Sequence, residues 1–89
     1  MGVVINMKTV RKGQTENHLI FEGYVPALDN SRLYEFDFIG TDLTTDASLT
    51  PEQTEGLKNE LKKEYGYAPY DEKDAKKKLE KRNQYRIAQ

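Results

Sequence analysis

The sequence predicts an α+β fold: a three-stranded antiparallel β-meander followed by two helices (β-β-β-α-α), with the first helix packed on the sheet. Three observations carry that prediction. Apolar and polar side chains alternate through the first half of the chain, which is the period of a strand. Glycine, asparagine and proline divide the alternation into three short runs. Beyond residue 50 the apolar residues recur at every fourth position behind a capping sequence, as in a helix.

Residues 3–12 read as the first strand, with Val3, Ile5 and Met7 on one face and Val4 and Val10 on the other. Residues 13–17 have no periodicity and form a hairpin loop. Residues 18–25 make the second strand, with Leu19, Phe21 and Val25 on one face and Ile20 and Tyr24 on the other. Gly23 inside it marks a bulge or a close backbone approach. Pro26 ends it, having no N–H to give to a ladder. Asp29, Asn30 and Ser31 read as a turn. Residues 33–39 are the third strand, where Tyr34, Phe36 and Phe38 alternate with Glu35 and Asp37, the pattern of a sheet with one wet face. Gly40 breaks this strand, and Thr41 to Leu49 reads as a polar connection.

Thr50-Pro51-Glu52-Gln53 starts the first helix, residues 51–65. Leu57, Leu61 and Tyr65 give it one narrow apolar stripe, and Gly66 stops it. Gly56 within it costs about 1 kcal/mol relative to alanine, so a close approach to the sheet is its expected role. Tyr67-Ala68-Pro69-Tyr70 is a short rigid link. Asp71 caps a second helix over residues 71–86. Ala75 and Leu79, then Tyr85 and Ile87, are its whole apolar content, so most of its circumference faces water.

Both faces of the first two strands carry large apolar residues, and one helix covers one face. Either strand one is central and partly wrapped by the tail, or a sheet face or edge is covered by another chain. A shift of one residue in register exchanges the two faces, so the pattern leaves this open.

The 89 residues suit one domain, 1–89, with a thin core. Charged residues make up 33% of the chain, above the ordinary share of roughly 25%, while nine aromatics supply core surface. The absence of cysteine excludes disulfides, thiol nucleophiles and thiolate metal sites, and fits a reducing compartment. Residues 1–7 lack the basic region of a signal peptide, and no apolar run approaches the roughly 20 residues that span a bilayer. The expectation is a cytoplasmic protein with no membrane partner. A start at Met7 instead of Met1 would delete half of the first strand.

Charge divides the chain. Residues 1–55 hold four Lys/Arg against nine Asp/Glu, a net −5, and residues 56–89 hold ten against six, a net +4. Lys76, Lys77, Lys78, Lys81, Arg82 and Arg86 cluster on the second helix, and Lys78, Lys81, Arg82 and Arg86 share one face of it. Such a face can track phosphates, with tyrosines adding stacking surface. The same distribution, acids first and bases last, is also what the helix dipole favours, and the pI near 5.8 is low for a nucleic-acid domain.

Evidence for catalysis is thin. His18 is the only histidine and sits at a loop–strand junction with no convergent set of groups around it. Glu35 and Asp37 point the same way and could join Asp42 and Asp46 in an acidic cluster, but a solvated sheet face explains them better. The glycines form no phosphate-binding fingerprint, and Ser31 and Ser48 lie in turn or cap contexts. No enzyme, metal or cofactor is expected.

The expected function is a small non-enzymatic binding or adaptor protein acting through protein–protein contacts, with a partner protein or a second copy (a homodimer). Tyr24, Tyr67, Pro69 and Tyr70 are the candidate contact residues. The alternative is nucleic-acid binding through Lys77, Lys78, Lys81, Arg82 and Arg86. Size and polar composition suggest an accessory protein of a phage or mobile element.

Overall fold

The computed structural model describes residues 2–88. Met1, one of the two starts considered, lies outside them. In chain order the elements are β1 (Val3–Lys12), β2 (His18–Val25), α1 (Pro26–Asp29), β3 (Asn30–Ile39), β4 (Asp42–Thr45), α2 (Pro51–Tyr65), α3 (Glu72–Lys81) and β5 (Gln84–Ile87). The five strands form one antiparallel sheet in the order β4-β3-β2-β1-β5. The α+β class stands, and the expected three-stranded meander is the centre of the sheet. One further strand flanks it on each side.

β1, β2 and α2 run between the residues that the pattern predicts. At the start of α2 the Gln53 N–H donates to Thr50 Oγ1 at 3.1 Å, and the Thr50 N–H donates to Gln53 Oε1 at 3.0 Å. This capping box satisfies two of the donors that a helix start leaves free.

Four local expectations are corrected. First, residues 26–29 form a single helical turn, closed by the Ser31 N–H and hydroxyl on Asp29 Oδ1 at 3.0 and 2.8 Å, so β3 starts at Asn30. Second, the polar stretch after Gly40 contains β4, whose Leu43 alone among its four residues is buried. Third, the second helix ends at Lys81 rather than Arg86. The Arg82 N–H closes it on the Lys78 carbonyl at 3.0 Å, and β5 follows. On a continuing helix the inner stripe after Leu79 would fall on Arg82, Asn83 and Arg86. As a strand, Tyr85 and Ile87 both turn into the core.

Fourth, Val10 lies on the same face as Met7. Met7 pairs with Gly23 and Thr9 with Glu22, which leaves Lys8 as an extra residue. This bulge shifts the alternation by one and returns Val10 to the buried side. Gly23 faces the bulge. A Cβ there would stand 2.6 Å from the Asn6 carbonyl oxygen, so the close approach expected at this position is real.

Leu57, Leu61 and Tyr65 of α2 and Ala75 and Leu79 of α3 are buried in one cluster with Ile5, Phe21, Phe36 and Phe38. α2 packs against β5 and β4, and α3 against β1. Both long helices therefore lie on one face of the sheet. The tail covers no face; it pairs with Val3–Asn6 and places β1 inside the sheet. On the other face, Tyr24 is half-buried, and Leu33 and Ile39 are 41% and 45% exposed. Ile20 there is only 9% exposed, because it lies on β2 beneath the pair that Arg11 of β1 forms with Glu35 of β3, 3.8 Å apart.

Candidate protein-contact site

The link between α2 and α3 is pinned at its end. The Tyr70 N–H donates to the Glu16 carbonyl at 2.7 Å. Its ring stacks on Phe38 with centroids 5.9 Å apart, and its hydroxyl donates to the Gly40 carbonyl. Tyr70 is thus buried, and burial raises the pKa of its hydroxyl. Three residues earlier, Tyr67 is 87% exposed. Pro69 is also exposed, so Tyr67 and Pro69 share the surface while Tyr70 holds the link down beneath them. Tyr24 belongs to the helix-free sheet face and is not part of this group.

Beside Tyr67 runs a groove of about 370 Å³ between α2 and α3, lined by Lys63, Glu64, Lys78, Lys81 and Arg82. Two of its cations hold the helices together. Lys78 Nζ donates to the Glu64 carbonyl at 2.7 Å, pairs with Asp74 at 3.0 Å and lies 5.5 Å from the centre of the Tyr65 ring. Arg82 pairs with Glu60 at 3.2 Å and Glu64 at 2.6 Å, and its guanidinium covers the Tyr85 ring at 4.5 Å. Lys63 and Lys81 are exposed and, among the described residues, form no salt bridge.

The basic residues expected on one helix are thereby separated. Lys78, Lys81 and Arg82 line the groove, Lys77 is exposed outside it, and Arg86 sits on β5 opposite Val4. Lys63 was not among the residues the sequence pointed to. Its only signal was its place in the last turn of α2, four residues before Tyr67.

The acidic residues are dispersed in pairs. His18 Nε2 lies 3.4 Å from Asp37 Oδ1, Glu35 pairs with Arg11, and Asp46 pairs with Arg32 at 3.1 Å while accepting the Glu35 N–H at 2.9 Å. Asp42 is exposed at the sheet edge. Among the described residues, no group of three or more His, Cys, Asp or Glu is placed to hold a metal ion. No helix among them is long and apolar enough to cross a membrane. Comparison with family models, curated proteins and solved structures gave no match, so the reading of this site rests on its own residues.

Proposed function

We propose that this is a non-enzymatic binding protein that docks another protein through Tyr67 and the lysine-rimmed groove beside it. One observation carries the reading: a large aromatic side chain stands 87% exposed on a link anchored at Tyr70. A ring held out on a fixed support loses little freedom on binding. Tyrosine is also among the side chains that dominate protein-contact energies. Lys63 and Lys81 favour a partner surface rich in Asp and Glu, which they would steer and orient.

Nucleic-acid binding is the second reading, because cations and an exposed aromatic share the groove. It ranks lower. Lys78 and Arg82 are already paired, and Glu60, Glu64 and Asp74 repel phosphates.

The test is a photo-crosslinking residue at position 67 in the expressing cell, with position 59 on the exposed side of α2 as control. The expected result is a discrete protein adduct at 67 that is absent at 59 and lost on combining Lys63→Glu with Lys81→Glu. An adduct digested by nuclease would transfer the site to the second reading. Equal labelling at the two positions would overturn both.

A further inference from the structure

Among the described residues three cations lie over tyrosine rings, and a carboxylate holds each of them there. The Arg32 guanidinium is 4.6 Å from the centre of the Tyr34 ring and 3.1 Å from Asp46 Oδ2. Lys78 Nζ is 5.5 Å from the centre of the Tyr65 ring and 3.0 Å from Asp74 Oδ2. The Arg82 guanidinium is 4.5 Å from the centre of the Tyr85 ring and pairs with Glu60 and Glu64. Each arrangement joins the attraction of a cation for the negative face of a ring to a charge pair that fixes where the cation sits.

Tyr67 has the ring and the carboxylates of this arrangement without the cation. Besides the lysine-rimmed groove it borders a second cleft, of about 130 Å³, between the link and the first turns of α3. Pro69, Asp71 and Asp74 line this cleft and are exposed, as Tyr67 is. Asp71 Oδ1 accepts the Lys73 N–H at 3.0 Å, and Asp74 Oδ2 meets Lys78. The second oxygen of each carboxylate has no such partner among the described residues, and a carboxylate accepts at both oxygens. Lys78 also lines the cleft, but it is held by Asp74 and the Glu64 carbonyl, so two carboxylates against one ammonium leave the cleft negative.

Given that Tyr67 docks a partner protein, on which the assignment rests, we infer that this cleft seats an arginine of that partner. Its guanidinium lies against the Tyr67 ring and donates to Asp71 and Asp74, completing the arrangement that Tyr34, Tyr65 and Tyr85 complete within the chain. Arginine suits the cleft better than lysine, because its planar group stacks on a ring and presents paired donors to a carboxylate. The partner surface is then polarised. Arginine faces Asp71 and Asp74 in one cleft, Asp or Glu faces Lys63 and Lys81 in the other, and Tyr67 borders both. Opposite charges beside one anchoring ring fix the direction in which the partner lies across it, since the reversed orientation sets like charges together.

The test titrates N-acetyl-arginine amide into the whole protein at low salt and follows it by NMR. N-acetyl-lysine amide and the uncharged N-acetyl-citrulline amide are the controls. The arginine compound should give saturable shifts at the Tyr67 ring and at the Asp71 and Asp74 carboxylates, the lysine compound should bind more weakly, and the citrulline compound should give none. Combining Asp71→Asn with Asp74→Asn should weaken the arginine compound by about threefold or more. Asparagine caps a helix as well as aspartate does, so the fold persists. Combining Lys63→Glu with Lys81→Glu should not weaken it, which separates this cleft from the lysine groove. An equal response to citrulline, shifts that do not saturate at Tyr67, or binding undiminished in the doubly Asp→Asn protein would each overturn the inference. A photo-crosslinked protein adduct at position 67 that forms equally well in that protein would overturn it too, while leaving docking at Tyr67 intact.

Discussion

Gly56 of α2 lies so close to Ile87 of β5 that a Cβ at position 56 would stand 2.6 Å from Ile87 Cγ2. Gly56→Ala therefore sets two effects against each other. The helix gains about 1 kcal/mol of intrinsic propensity. Overpacking a buried contact costs about 1–3 kcal/mol. Cγ2 sits directly on the branched Cβ of a buried strand residue and has little room to swing away, so the second effect wins. The expected outcome is a net loss of about 1 kcal/mol, seen as a lower urea midpoint at unchanged slope. A more stable variant would mean that α2 and β5 pack less tightly than described.

The Tyr65 and Tyr85 hydroxyls are buried neighbours, and among the described residues neither makes a hydrogen bond of good geometry. Burial, reinforced by the charge of Glu64, pushes Tyr65 up to about 12, and burial together with Tyr65 raises Tyr85 as well. Unfolded tyrosines ionise near pH 10. Above that pH the unfolded state sheds protons that the folded state retains, so stability is level below about pH 10 and falls as pH rises toward and past 12. Tyr85→Phe removes one orphan hydroxyl. It should leave neutral-pH stability equal or higher by up to about 1 kcal/mol and should make the alkaline decline shallower. Chemical denaturation between pH 8 and 12 reads both effects.

Arg82 and Lys81 are adjacent in sequence and differ in what they hold. Arg82→Ala loses the pairs with Glu60 and Glu64 and the cover over Tyr85, for a cost of about 1 kcal/mol given its partial exposure. Lys81→Ala should stay within about 0.5 kcal/mol of the parent. Thermal melts of the two variants make the comparison. Equal melting temperatures would remove Arg82 from its role in joining α2 to α3.

A chain begun at Met7 lacks Val3 and Ile5 from the core and the whole stretch of β1 that β5 pairs with. Leaving Tyr85 and Ile87 without a neighbouring strand exposes apolar surface and unpaired backbone groups. Such a truncation should be unfolded or aggregated at 25 °C by circular dichroism and sizing. A cooperative transition near that of the parent would show the Val3–Asn6 pairing to be dispensable.

Where elements carry regular alternation or a strong start signal, the sequence was legible: β1, β2 and α2 lie where Val3–Lys12, His18–Val25 and the Thr50 capping box put them. Edge strands were not. β4 turns only Leu43 into the core, so its remaining residues read as a polar loop. β5 follows a lysine-rich helix without glycine or proline between them, and its period of two rests on Tyr85 and Ile87 alone. The bulge at Lys8 had no local mark in β1, since its cause lies across the ladder at Gly23. In the candidate contact group, the exposure of Tyr67 and Pro69 was legible because a short link between helices runs over the surface. Lys63 and the burial of Tyr70 depend on contacts made across the fold.

The Val3–Ile87 pairing also has a temporal side. A ribosome delivers Ile87 of β5 more than eighty positions after Val3 of β1, as the register of this pair shows. Until residue 87 clears the exit tunnel, Gly56 has no Ile87 to pack on and the Val3–Asn6 edge is bare. The sheet cannot be finished progressively from its amino-terminal end. The nascent chain must hold that edge open until β5 arrives, and completion of the core waits for Tyr85 and Ile87.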